Sequence, residues 1–405
     1  MKRKEFIQLS AALSLGAAGF ISCGSNRRRI PVTIVGANAS RGHLLREAKQ
    51  QVPVEIIKKD CVIVGAGVSG LSAARAIRQY GVSDFLVFDL EEQAGGNARY
   101  GSNSISAFPW GAHYIPTPNN DLPEYLQFLQ EAGVITAIEA TGLPEYNEQY
   151  LCFDPQERLF INGSWQEGLV PQKGVPTEEQ EQVARFLQQM DLYRNLTCAD
   201  GKYAFAIPVD ASGCDAAIDG LDQLTMAQWM KREGYTSSYL REYVNYCCRD
   251  DFGTTLRDIS AWAGIHYFAG RKGKAVNANH SDVLTWPEGN GFLVKALLQS
   301  SAAQLRTGCV VTHVQAGADA VLVTYLDTAT NTVKAIETPQ CILAVPQMVA
   351  ARLLEDKERE DKVRKYFRYT PWVVINCRVS KLEEKDGVAL SWDNVIYGSQ
   401  SLGYV

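Results

Sequence analysis

The chain has 405 residues, 46% of them apolar and 10% aromatic, which at roughly 150 residues per domain suggests two or three domains or one large composite fold. Forty basic against 45 acidic residues leave a net charge of −5, no field to draw in nucleic acid. With 21% charged residues and 33 glycines it is neither a disordered nor a fibrous chain, and ten cysteines are too few for a disulfide scaffold at this length.

In chain order, Lys2, Arg3 and Lys4 precede an apolar, small-residue run over residues 6–21, the arrangement of a bacterial export signal. The run is too short and too rich in Ser and Gly for a membrane span of about 20 apolar residues. Ile21-Ser22-Cys23-Gly24 resembles a lipoprotein box, with Phe20 where Leu is usual, so Cys23 is the expected lipidation site. Arg3-Lys4-Glu5-Phe6-Ile7 is similar to a twin-arginine signal with one Arg replaced by Lys, a route that exports folded proteins. Residues 1–25 are thus expected to be an address, leaving the protein on the periplasmic side of a membrane and tethered to it by lipid. With Cys23 lipidated, the remaining cysteines are odd in number and cannot all pair. Cys61 reads as a small core residue. Adjacent Cys247 and Cys248 lack metal-ligand spacing, so no metal site is expected, and a Cys198–Cys214 bridge is left open.

Val32 to Gly36 reads as an extra strand and loop. The stretch Asp60-Cys61-Val62-Ile63-Val64-Gly65-Ala66-Gly67-Val68-Ser69-Gly70 carries far more information. An apolar run suited to a buried parallel strand meets Gly65, which permits a tight turn, and Gly67, whose missing Cβ lets a pyrophosphate approach. Gly70 lets the next helix pack closely, and Ser69 lies in the first turn, where free N–H groups and the helix dipole face the phosphates. Ala73, Ala74 and Ala76 continue the helix, Gly81 ends it, and residues 85–88 form a second apolar strand closed by Asp89. That acid, about 20 residues on, is placed to accept ribose hydroxyls. The ordered set reads as a dinucleotide site.

The residues that follow, Gly95-Gly96-Asn97-Ala98-Arg99 and then Trp110-Gly111-Ala112-His113-Tyr114, resemble the flavin-dependent amine oxidase and phytoene desaturase superfamily. The resemblance resumes at Trp286-Pro287-Glu288-Gly289-Asn290-Gly291, at the strand around Val311, and at Cys341-Ile342-Leu343-Ala344-Val345-Pro346. It implies FAD as cofactor. Gly95 and Gly96 would bring backbone N–H groups to the diphosphate, Arg99 would substitute for the Arg that Asn97 replaces, Val311 would lie against the adenine, and Gly111 and Ala344 would stand beside the flavin. The implied fold is α/β: a parallel-sheet, glutathione reductase type FAD-binding domain over 26–114 and 286–350. An α+β substrate domain over 115–285 and 351–405 is inserted into it.

Within 115–285, Asp121 with Glu124, Thr177 with Gln180 and Thr225 with Gln228 read as capping boxes, Gly133 and Gly234 as C-caps, and Asn162-Gly163 as a hairpin turn. Tyr235, Tyr239, Tyr243 and Tyr246 recur at helical spacing, which points to core packing. His266 and His280 are isolated candidates for substrate contact.

The superfamily's amine oxidases place a Lys near the flavin on a strand that corresponds here to residues 369–379, and the apolar pattern puts Asn376 at that position. Asn376 and His113 are therefore the flavin-facing candidates, and no catalytic residue is named, since Asn cannot give up a proton but can hold water. The superfamily also closes its site with a C-terminal glycine-rich strand and helix. The sequence ends at Val405 without them, as a fragment or as a branch that closes its site differently. The expected function is FAD-dependent oxidation of a small or lipid-like molecule by hydride transfer. The rival is a catalytically silent, membrane-tethered binding protein, and a methyltransferase glycine loop is a weaker third reading.

Overall fold

The computed structural model describes residues 30–47, 52–382 and 387–405, so the export and lipidation readings at residues 1–25 lie outside the described residues. The chain divides into two units, residues 1–37 and 38–405. In the first, residues 30–37 are exposed and carry no strand, so the strand expected at 32–36 does not form. Val32, Ile34 and Val35 have no ladder to join among the described residues of their unit, and an isolated strand is not stable alone.

The second unit begins with α1 (Ala39–Glu47), where the Asn38 side chain accepts from the Arg41 N–H at 3.0 Å. Next come β1 (Ile56–Lys58), β2 (Cys61–Val64), α2 (Val68–Gln79) and β3 (Phe85–Phe88), the strand–turn–helix–strand order read from the sequence. The hairpin β4 (Tyr100–Ser102) and β5 (Ala107–Pro109) leads to β6 (Tyr114–Pro116), α3 (Pro123–Glu131) and the pair β7 (Ile135–Ile138) and β8 (Pro144–Tyr146). A second hairpin, β9 (Glu157–Ile161) and β10 (Ser164–Glu167), precedes the helices α4 (Thr177–Asn195), α5 (Ala216–Asp219), α6 (Met226–Arg232), α7 (Ser238–Phe252) and α8 (Ala261–Ala269). The chain returns through β11 (Val283–Thr285), α9 (Gly291–Leu298), β12 (Leu305–Arg306), β13 (Cys309–Ala316), β14 (Val321–Asp327), β15 (Thr332–Thr338) and β16 (Gln340–Leu343). It finishes with α10 (Gln347–Leu354), α11 (Lys357–Tyr366) and β17 (Asp393–Ile396).

One sheet runs β12-β3-β2-β16 with every pairing parallel, and a second runs β1-β15-β14-β13, mostly antiparallel. All residues of β2 and β3 are buried, and the alternation along them explains why. Cys61, Ile63, Phe85 and Val87 face α2 and α9 through Leu71, Ala74, Leu293 and Leu297. Val62, Val64, Leu86 and Phe88 face the antiparallel sheet through Val311, Val314, Val323 and Ile336. A strand covered on both faces has no polar side to show, hence the unbroken apolar runs.

The helices α4, α6, α7 and α8 form a separate core around Phe186, Met190, Trp229, Leu240 and Ile265. Only the Thr225–Gln228 capping box forms, with both hydrogen bonds present. α3 starts at Pro123, and Pro176 stands at the N-cap of α4, so Asp121 and Thr177 do not cap. A proline at a helix entrance presets φ and presents no N–H to satisfy, which removes the need for a side-chain cap. Gly133 and Gly234 follow α3 and α6 with φ of +72° and +75°, and Asn162-Gly163 closes the β9–β10 hairpin with both φ positive, as read from the sequence. The tyrosine series divides: Tyr235 is buried in the helical core, while Tyr239, Tyr243 and Tyr246 pack against β9 and Tyr397. Cys198 and Cys214 are free thiols, like the other cysteines among the described residues.

Residues 369–379, expected as a strand, carry none, and Trp372, Val373 and Ile375 are 51%, 76% and 77% exposed. Their β-branched composition suits a ladder, but they pair with no strand among the described residues. β17, by contrast, is well fastened: it pairs in parallel with β9, and the buried Arg158 donates to Asn394, to the Val388 carbonyl and to the Tyr404 hydroxyl while lying 3.9 Å over the Trp165 ring. No helix among the described residues is long and apolar enough to cross a membrane.

Candidate functional site

The site begins where β2 runs out. The Gly65 N–H donates to the Phe88 carbonyl at 2.7 Å, and Gly65 turns with φ +99°, where a Cβ would collide with the Ala344 carbonyl. Ala344 is held there by its own N–H, which donates to the Val64 carbonyl at 2.8 Å. Gly70 lies so close to the Gly65 carbonyl that no side chain fits between them. Gly67 differs: a Cβ built on it meets only the Cα of Gly96, at 3.9 Å. Gly67 is the N-cap of α2 and no side chain caps that helix, so its first N–H groups remain available beside the exposed Ser69.

The Gly95-Gly96 segment closes over this turn. The Gly95 N–H donates to the Ala66 carbonyl at 2.8 Å, and Gly67 and Gly95 form an isolated parallel bridge. Gly95 and Gly96 have φ of +121° and +56°, which other residues resist. Asp89 ties the two loops together, one carboxylate oxygen accepting from the Ala66 N–H at 2.9 Å and the other from the Glu91 N–H at 2.8 Å. Burial pushes its carboxyl up and these two hydrogen bonds oppose that. A carboxylate offers about four acceptor positions, so Asp89 keeps capacity for ribose hydroxyls beyond its structural role.

Arg99 is not a free cation. Its Nε donates to the Gly96 carbonyl at 3.2 Å and its guanidinium lies 3.5 Å from Glu91. Glu91 also accepts from the Asn38 N–H at 2.7 Å, and Arg41 donates to the Leu90 carbonyl at 3.1 Å, a clasp from the start of α1 that sequence spacing did not signal. Gly111 permits another close approach, since a Cβ there would stand 2.7 Å from the Asn97 carbonyl, which accepts from the Ala112 N–H. Val311 packs in the core between the two sheets, two residues beyond Cys309, whose N–H donates to the Asp89 carbonyl. The structure therefore gathers Gly65, Gly67, Ser69, Gly70, Asp89, Gly95, Gly96, Arg99 and Ala344 around one turn.

His113 and Asn376 belong to a neighbouring group. The Asn376 amide donates to the Pro109 carbonyl at 3.2 Å. His113 has its Nδ1 3.1 Å from the Gly111 carbonyl, lies 5.1 Å from the Tyr114 ring and 5.4 Å from the Trp392 ring, and burial holds its imidazole below the usual range. Tyr114 also meets Trp392 edge-on at 5.4 Å and accepts from Arg271 at 3.4 Å. His266 is tied to the Ala206 carbonyl at 2.8 Å and stacked on Trp262, a supporting role. His280 is partly buried, and its imidazole is likewise held low by burial. Trp392 and Arg271 carried no local motif, and neither did the acids near them. Only the fold brings residues so distant in sequence together.

Residues 63–132 match the family described as NAD(P)-binding Rossmann-like domain. L-amino acid oxidase Bs29 of Bothriechis schlegelii is 22% identical over 336 residues, covering 82% of this chain and 62% of that protein. Among solved structures, wild-type putrescine oxidase bound to putrescine aligns with TM-score 0.55 and 15% identity over 74% of this chain and 60% of its own. Cyclohexylamine oxidase from Brevibacterium oxydans gives 0.54 and 13%, covering 75% and 62%.

The chain has the amine-oxidase fold.

The resemblance drawn from two separated sequence blocks thus holds at the level of fold. A fatty acid isomerase from P. acnes shares it at TM-score 0.53 and 16% identity, so the amine-oxidase fold alone does not fix a substrate. The chain spans less than two thirds of the length of each of these relatives.

Proposed function

We propose that the chain is an FAD-dependent oxidoreductase that takes a hydride from a small or lipid-like molecule. The observation that carries the reading is the apposition of Gly67 and Gly96 at the uncapped start of α2, a cradle that side chains would fill. Gly65, Gly67, Ser69 and Gly70 would hold the diphosphate from below and Gly95 and Gly96 from above, with Asp89 on the ribose. Arg99 would keep the upper loop in place, while Gly111, Val311 and Ala344 would border the cofactor. FAD, when bound, supplies the hydride acceptor, and the protein's part is to hold and orient. The relatives act on putrescine, cyclohexylamine, amino acids and fatty acids by their names, which supports a small organic substrate. Reconstitution with FAD followed by gel filtration tests the reading: visible flavin absorbance is expected to travel with the protein, and its absence overturns the proposal.

Asn376 favours a second reading, a silent binding protein, because its amide is engaged with Pro109 and it cannot act as a base. Anaerobic bleaching of the bound flavin by amines, amino acids or unsaturated lipids separates the two, since a silent protein bleaches with none. We also infer export, by a twin-arginine-type route, and a lipid anchor at Cys23 on the periplasmic side of a membrane, supported by the basic residues 2–4, the apolar run and the Cys23 box. Labelling with a radioactive fatty acid, lost in Cys23→Ser, tests the anchor.

A further inference from the structure

The helical core carries a groove that shares no residue with the glycine turn. Gly234 ends α6 with φ +75° and the chain turns into α7. The loop after α7 then returns to the start of α6, where the Ala227 N–H donates to the Leu256 carbonyl at 2.8 Å and the Met226 N–H to the Ile259 carbonyl at 3.0 Å. These backbone bonds fix Arg257 beside α6. Lys231 of α6, Arg241 of α7 and Arg257 of the loop consequently line one groove of about 590 Å³, together with Gln228 and Thr236.

Among the described residues no carboxylate lines this groove, and the side chains of Lys231, Arg241 and Arg257 make no ion pair or hydrogen bond. The acids of the flanking turns are engaged elsewhere. Glu179 accepts from the Ser237 hydroxyl at 2.8 Å and the Ser238 N–H at 3.0 Å, Glu233 pairs with Arg232 at 3.0 Å, and Asp258 accepts from the Thr255 hydroxyl at 2.7 Å. Arg185 shows what a cation does here when an acceptor is in reach, donating to the carbonyls of Glu233 and Gly234 at 3.4 Å and 3.2 Å. Arg241, by contrast, is half-buried and unpaired, and withdrawing a charge from water without a partner costs free energy. The uncharged lining adds donors. The Gln228 amide oxygen is taken by the Thr225 N–H at 2.8 Å, and the Thr236 hydroxyl oxygen accepts from Gln182 at 3.2 Å, which leaves the amide hydrogens of one and the proton of the other to give.

We infer that this groove binds a soluble anion of the diphosphate type, two linked phosphate groups held by Arg241, Arg257 and Lys231. Guanidinium groups meet phosphate oxygens with paired hydrogen bonds, and an ammonium adds a compact point charge. Three cations on three separate elements call for an anion with several charges and with oxygens pointing in several directions. A single carboxylate presents its oxygens in one plane, and one arginine is enough to satisfy it. A flat bilayer surface would reach the exposed Lys231 and Arg257 and leave the half-buried Arg241 unserved. A small anion that enters the groove serves all three. The inference is independent of the oxidoreductase reading.

The test is calorimetric titration of the full-length protein, after incubation with FAD, with inorganic pyrophosphate, with orthophosphate, and with vesicles of phosphatidylglycerol or of phosphatidylcholine. Pyrophosphate is expected to bind at least about tenfold tighter than orthophosphate, and Arg241→Gln and Arg257→Gln should each weaken it about tenfold or more. Arg352→Gln removes the same charge from an exposed arginine of α10 that does not line the groove, and it should leave the affinity unchanged. No binding of pyrophosphate, equal weakening by Arg352→Gln, or binding to phosphatidylglycerol vesicles without binding of pyrophosphate overturns the inference. So does a loss of pyrophosphate binding in Gly67→Ala but not in Arg241→Gln, which would seat the anion at the glycine turn. If the groove variants fail to fold, the wild-type ratio of pyrophosphate to orthophosphate and the vesicle titrations decide. Flavin absorbance is expected to travel equally with wild type and both groove variants, so failure of this inference and failure of the cofactor reading are seen separately.

Discussion

The glycine turn and the acidic seam between β9, β17 and the end of α7 are built in opposite ways. The turn draws Gly65, Gly67, Gly70, Asp89, Gly95 and Gly96 from one short stretch of chain, and it works through missing side chains. The acidic seam draws Glu157 and Asp393 from partnered positions of β9 and β17 and Asp250 from the end of α7, and its character comes from carboxyls that burial makes reluctant to ionise. A nucleotide's phosphates need close backbone, which a few residues can deliver locally. The turn restricts which side chains fit; the seam can change one carboxyl at a time.

That contrast can be broken experimentally. Gly70→Ala should have the largest effect, because its Cβ meets the Gly65 carbonyl and neither backbone can move without disturbing β2. Chemical denaturation is expected to show a loss of about 3 kcal/mol or more. Asp89→Asn should cost about 1–3 kcal/mol, because an amide oxygen can replace only one of the two acceptors that hold Ala66 and Glu91.

The acidic seam should respond to pH instead. Burial raises the Asp250 carboxyl from 3.8 to about 6 and that of Asp393 to about 7, so the folded state binds protons more tightly than the unfolded chain. Stability from these two groups is therefore full below about pH 4 and declines as pH rises through 6 and 7. The ligand-free protein is expected to melt a few degrees higher at pH 5 than at pH 8, and Asp393→Asn should flatten the difference. The smallest stability effect belongs to Gly67→Ala. With only an ordinary contact at its Cβ position, the Gly96 Cα at 3.9 Å, it should stay within about 0.5 kcal/mol of wild type, yet lose flavin affinity at least about tenfold. If Gly67→Ala instead destabilises as Gly70→Ala does, the two glycines share one role and the contrast between the regions fails.

The glycine turn, the strands on either side of it and the Asn162-Gly163 hairpin were legible because each depends on residues close in sequence. Legibility failed wherever a partner decides the outcome. Residues 369–379 have every strand-forming feature and no ladder to join, and Val32 to Val35 fail for the same reason. Asp121 and Thr177 look like caps, but prolines set those helix starts. Arg99 was read as the substitute for the Arg that Asn97 replaces, and the structure shows it bonded to Glu91 and Gly96. Arg271, Asp250, Glu157 and Asp393 were invisible because nothing in their local spacing links α7, α8, β9 and β17.

The bare run at 372–375 has a practical consequence. Trp372, Val373, Val374 and Ile375 are at least half exposed and uncharged, and their backbone groups make no backbone–backbone hydrogen bond among the described residues. Such a segment is a template on which another extended chain can align and stack. Colloidal behaviour in concentrated solution, rather than thermal unfolding, is then the property that this segment governs, and light scattering that grows with protein concentration at constant fold is its signature.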